Sequence, residues 1–180
     1  MTLPTLGRLV SLPALEHPEL LAPPVVAALE AWPHAHELAV VEIDPSVADT
    51  AAMSEAYDLG MDTGANCVVV GGKREGVERV AACLVRADTR ADVNTVVKRA
   101  LDVRKCSFLP MDRAVEESGM EYGGITPVGL PAGWRLLVDP RVLEIDVAVI
   151  GSGTRRSKLL IPGGLAGALP GAEVVEGLAS

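Results

Sequence analysis

Aromatic side chains are scarce in this 180-residue chain, which holds two Trp, two Tyr and one Phe. Its core must therefore be aliphatic, and the 49% apolar content, drawn mostly from Ala, Val and Leu, suffices for one. Cysteine is scarce as well. Cys67, Cys83 and Cys106 are odd in number, widely spaced and set in apolar runs. That pattern argues against a disulfide framework or a zinc site and for reduced, packed thiols. No apolar run approaches the roughly 20 residues that span a bilayer. The opening "MTLPTLGRLVSLPALEHPELL" lacks the basic head and continuous apolar stretch of a signal peptide, so a cytoplasmic protein without a membrane partner is expected. Positive charge is in deficit too. A formal net charge of −8 speaks against broad DNA or RNA binding, whose affinity rests on neutralised phosphates, while leaving room for a local basic patch.

What is present reads as one domain with alternating and consecutive elements. "LLAPPVVAALEAWP" predicts a helix with Pro23 or Pro24 in its first turn and Pro33 closing it. "ELAVVEID" predicts a buried strand, and "SVADTAAMSEAYDLG" a helix capped by Asp49 or Thr50 and ended by Gly60. "NCVVVGGKREGVERVAACLV" predicts a β-hairpin turning at "GGKREG". A helix over "ADTRADVNTVVKRALDV" follows, capped by Asp88 or Thr89, then a strand at "KCSFLP" and a helix from Pro110 to Gly119. Strands at "WRLLVD", "DVAVIG" and "KLLIP", a brief helix at "GGLAGAL" and a last strand at "AEVVEG" complete the chain. The fold class is mixed α/β (α+β), with a mixed sheet.

Few residues announce chemistry. His17, His34 and His36 lack partners at ligand spacing, and no H-E-x-x-H, paired C-x-x-C, G-x-S-x-G or Walker loop occurs. No metal and no cofactor is called for. Ser152 sits between Gly151 and Gly153 after a strand, which hints at a nucleophile turn one residue too short on each side. Arg155, Arg156 and Lys158 cluster in the turn that follows, Arg99, Arg104 and Lys105 in a second cluster, and Lys73, Arg74 and Arg79 at the hairpin. Each cluster reads as solvated surface or, if two flank one cleft, as a grip on phosphate. The stretch "MEYGGITPVGLP" is apolar yet rich in Gly and Pro. Gly123 and Gly124 permit positive φ and close backbone approach, while Pro127 and Pro131 stiffen the far side. Convergent N–H groups in such a loop can hold an anion or a developing oxyanion, though a structural turn has the same letters.

The succession Gly119, "YGGITPVG", a strand ending at Asp139, "VIGSG" and "LLIP", preceded by "ADVNTVVKRALDVRKCSFLPMDRAVEESG", resembles the YbaK/EbsC family over roughly residues 37–170. That family comprises free-standing aminoacyl-tRNA deacylases and the editing domain associated with prolyl-tRNA synthetases. The most specific match is the G-x-x-x-P loop, Gly123 to Pro127. The resemblance implies a mostly antiparallel mixed sheet surrounded by helices, over residues 37–180, with residues 1–36 as an N-terminal extension packed on it. It implies hydrolysis of a mischarged aminoacyl ester at the 3′ end of a tRNA, with or without a synthetase partner. The ester carbonyl would face the amides of Gly124, Ile125 and Thr126, beside Gly123 and Pro127, with Gly151, Ser152 and Gly153 as another wall. Members with editing activity usually carry Lys where this chain has Asn66. Asn66 would orient the carbonyl or a water, as an amide dipole without the charge. The alternative is a module that keeps the pocket and has lost turnover. A thiol mechanism through Cys67 is the weaker reading, since no His lies near it in sequence.

Overall fold

The computed structural model describes residues 2–180. Strand β1 (Leu12–Pro13) precedes helix α1 (Pro23–Ala31), then come β2 (Ala39–Glu42), α2 (Thr50–Tyr57), β3 (Ala65–Arg74) and β4 (Val77–Arg86). A π-helical turn over Val93–Val97 runs into α3 (Lys98–Leu101), followed by β5 (Cys106–Phe108), α4 (Met111–Ser118) and β6 (Arg135–Val138). Helix α5 (Pro140–Leu143), β7 (Val147–Gly151), β8 (Ser157–Pro162) and β9 (Ala172–Val174) complete the order. Among the described residues no helix is long and apolar enough to cross a membrane.

The strands make two sheets rather than one. The first runs β1-β2-β8-β7 and is antiparallel throughout. The second runs β5-β3-β4-β6-β9, antiparallel around β3 and parallel from β4 to β9. A single parallel bridge, Gly64 to Val149, stitches β7 to the entry of β3. The main core fills the space between the sheets: Leu159, Ile161 and Ile150 face Leu84, Leu136 and Val138, with Val25 and Leu29 of α1 among them. Strand alternation sends Leu137 to the opposite face, under Val97 and Leu101. It likewise sends Val41 and Leu160 beneath Met53 of α2.

Several local expectations need correction. The hairpin turns at Glu75–Gly76, both at positive φ, so "GGKR" is strand rather than turn. A two-residue turn with two left-handed positions matches the twist of the flanking strands, which the longer loop would not need. Asp92, not Asp88 or Thr89, caps the helix before α3, accepting from the Thr95 amide at 2.9 Å. Asp58 takes the left-handed C-terminal position of α2 ahead of Gly60. Strand β1 and helix α5 are too short to carry a periodic pattern.

Candidate active site

A cleft of about 400 Å³ opens between the two sheets, floored by Asn66, Cys67 and Val69 of β3 and walled by Thr50 and Met53 of α2. Gly123 and Ile125 form the facing wall, and Gly151 and Lys158 close one end. The mouth is aromatic. Phe108 and Tyr122 line it and remain 63% and 56% exposed, so two of five aromatic residues stand outside the core.

The G-x-x-x-P loop is built by a tight turn. Gly124 N–H donates to the Glu121 carbonyl at 2.9 Å, and Gly123 adopts φ +74°, the left-handed third position that a type II turn reserves for glycine. The loop is clasped to the β7–β8 connection. Glu121 N–H donates to the Gly153 carbonyl at 2.9 Å, Gly153 N–H to the Gly124 carbonyl at 2.8 Å, and the Arg155 amide to the Glu121 carboxylate at 2.7 Å. A side chain at Gly124 would meet the Thr154 backbone at 2.7–2.9 Å, so the close approach requires glycine. Arg155 also reaches the Tyr122 carbonyl at 3.3 Å and lies over its ring at 5.7 Å.

The expected donors divide. The Gly124 amide is consumed by the turn, which corrects its place as a donor toward substrate. Among the described residues the amides of Gly123, Ile125 and Thr126 have no partner, and Gly123 and Ile125 line the cleft. Thr126 and Pro127 do not line it; Thr126 is fully buried, and its hydroxyl lacks any partner among the described residues. Asn66 lines the cleft and stays exposed, its Oδ1 accepting from the Thr50 hydroxyl at 3.3 Å. Gly151 lines the cleft, but Ser152 and Gly153 do not. The Ser152 hydroxyl is buried, bonding the Ser157 hydroxyl at 2.7 Å and the Ser157 carbonyl at 2.9 Å. A Cβ on Gly153 would lie 2.3 Å from Ala22, on the side away from the cleft.

Other candidates resolve simply. Burial pushes the Cys67 thiol well above its ordinary range, with Cys83 reinforcing the effect, so it stays protonated and a poor nucleophile. His17 and His34 bond Glu19 and Glu37 at 3.0 and 2.8 Å, and no group of three or more potential metal ligands occurs among the described residues. Arg74 and Arg79 converge on Asp102 at the hairpin. Lys158, expected in a solvated turn, instead lies on β8 and is only 9% exposed. Sequence reasoning missed Thr50, Phe108, Met111, Tyr122 and Lys158 as cleft residues. Phe108 and Tyr122 carried a usable signal: rare aromatics placed beside the loop and a strand end.

Comparison with known proteins bears on the fold and the family. No curated protein matches the sequence significantly. Among solved structures, hypothetical protein APE2540 superimposes with a TM-score of 0.75 at 18% identity, covering 87% of this chain and 99% of its own. A proposed trans-editing enzyme for prolyl tRNA synthetase gives 0.72 at 24% identity, covering 86% of this chain and 94% of its own. These likenesses establish a shared fold. The aminoacyl-tRNA editing domain family matches residues 44–166, which take in the α2 wall, Asn66, the G-x-x-x-P loop and Lys158, and the chain belongs to that family, as the YbaK resemblance of its sequence implied.

Proposed function

We propose that the protein is a trans-editing deacylase that hydrolyses the ester of a mischarged aminoacyl-tRNA. The observation that carries this reading is the cleft whose lining joins Asn66 with Gly123 and Ile125, two residues whose amides have no partner among the described residues. Phe108 and Tyr122 at the mouth suit stacking of the terminal adenine, because every base offers a π-face to an aromatic side chain. The ester then lies against the loop and the amino-acid side chain points toward Met53 and Val69. Water attacks the carbonyl carbon, forming a C–O bond and a tetrahedral oxyanion. Collapse breaks the bond to the ribose oxygen, which takes the proton released by the water. Amino acid and tRNA with a free 3′ end leave.

An editing site of this kind answers a limit of binding energy. One methylene separates two amino acids by only about 1–3 kcal/mol, so a second, size-selective pocket restores accuracy. A second reading, a module that binds an aminoacyl end or a synthetase without turnover, is favoured by the neutral Asn66, which by the resemblance of the sequence stands where members with editing activity usually carry Lys. A deacylation assay over a panel of mischarged tRNAs decides. Hydrolysis of at least one ester is expected; saturable binding of a 3′-amide-linked aminoacyl analogue with no hydrolysis across the panel would select the second reading.

A further inference from the structure

Lys158 is a charged group in the cleft lining that the ester hydrolysis leaves unused. It is buried, it lines the cleft, and its recorded hydrogen bond is a marginal one to the neutral Gly123 carbonyl at 3.4 Å. Among the described residues no carboxylate lies within salt-bridge distance of it. Burial lowers its pKa, the nearby Arg155 lowers it further, and Asp49 offsets this only in part. A cation held so deep without a counter-ion is unfavourable until a ligand brings negative charge to it.

The strand registers say where that charge would sit. Gly64 bridges Val149, so Asn66 and Gly151 each follow two residues later on adjoining segments, and Gly151 pairs directly with Lys158. Gly151 has no side chain to separate them, and a Cβ there would lie 2.5 Å from the Gly124 carbonyl and 2.6 Å from that of Ile125. The loop therefore crosses over Gly151, with Asn66 on one side and Lys158 on the other. Both also border the start of α2, Asn66 through Thr50 and Lys158 through its attraction to Asp49.

We propose that Lys158 supplies from β8 a cation to the cleft, its ammonium donating to the ester carbonyl oxygen as negative charge develops there. The inference rests on the deacylase reading and deepens it: Lys158 provides a charged donor where Asn66 on β3 offers only a neutral amide. The reaction balance is that of ester hydrolysis, and Lys158 keeps its proton throughout.

The test compares wild type, Lys158→Met, and the double variant Asn66→Lys with Lys158→Met, using whichever mischarged tRNA the wild type hydrolyses and following thermal melting in parallel. Lys158→Met is expected to lower kcat by at least about 100-fold, the usual effect of deleting one oxyanion donor, with KM within about threefold. The same variant is expected to melt higher than wild type, because an apolar chain of similar length replaces a buried unpaired cation. Restoring charge from position 66 should recover at least about tenfold in kcat over the single variant. A single variant within about threefold of wild-type kcat overturns the inference and leaves the deacylase reading standing. Lost activity with a lowered melting temperature, or a double variant that recovers nothing, also overturns it, since either makes Lys158 structural. A wild type inert on every ester removes the deacylase reading first and the inference with it.

Discussion

Two glycine-rich turns lie side by side in this molecule, and they use their polar groups in opposite ways. The turn at residues 151–157 spends its groups internally: Ser152, Thr154 and Ser157 bond one another and the Leu20 carbonyl. The loop at 121–127 closes its own turn with one amide and leaves those of Gly123 and Ile125 without partners beside a cleft. Each carries two glycines and a Thr, "EYGGITP" and "GSGTRRS". What separates a scaffold from a candidate site is whether its hydrogen-bonding capacity is already exhausted.

The largest effect expected from testing that contrast is at Gly124. Gly124→Val drives a branched side chain into the Thr154 backbone, 2.7 Å from its carbonyl oxygen, where nothing flexible can yield. Hydrolysis should be abolished and stability lowered by about 1–3 kcal/mol, measured by chemical denaturation. Asn66→Ala comes next. It removes an exposed neutral amide from the cleft floor, and loss of one uncharged hydrogen bond of about 1 kcal/mol should lower kcat by roughly tenfold or less. Phe108→Ala should act on KM rather than kcat, raising it by about tenfold, because base stacking contributes about 1–3 kcal/mol. A fall in kcat alone would place Phe108 outside substrate binding.

Ser152→Ala sharpens the contrast from the other turn. Breaking a buried network should cost about 1–3 kcal/mol of stability while kcat per folded molecule holds. Abolished hydrolysis with unchanged stability would instead make Ser152 a nucleophile. The smallest effect is at Thr126→Val. Removing a buried hydroxyl that has no partner should leave hydrolysis unchanged and raise stability by about 1 kcal/mol or more.

The sequence carried the fold at the level of periodicity. Strands such as Arg135–Val138 and Val147–Gly151 announced themselves by apolar runs between turn residues, and α4 by Pro110 and Gly119 at its ends. The division into two sheets was not legible, because pairing partners are set by tertiary packing and not by any one strand's composition. The glycine loop and Asn66 were visible through family resemblance and lie at one cleft. Lys158 was hidden for a simple reason: it follows Arg155 and Arg156 in the sequence and shares their apparent solvent exposure, yet register places it inward on β8. The fate of each donor in the loop was equally invisible, since nothing in the letters says which amide closes the turn.

The segment preceding β2 gives the cleft an unexpected dependency. Ala22 donates to the Ser152 carbonyl, Leu20 accepts from Thr154 and Ser157, and Gly129 is glycine because the Pro24 carbonyl would lie 2.4 Å from any Cβ there. The 151–157 turn, and the chain at Gly129 just beyond the 121–127 loop, thus lean on a stretch that lies outside residues 44–166, the part matched by the family. A change in that outer buttress would therefore reach the pocket through these contacts, with every residue that lines it kept as it is.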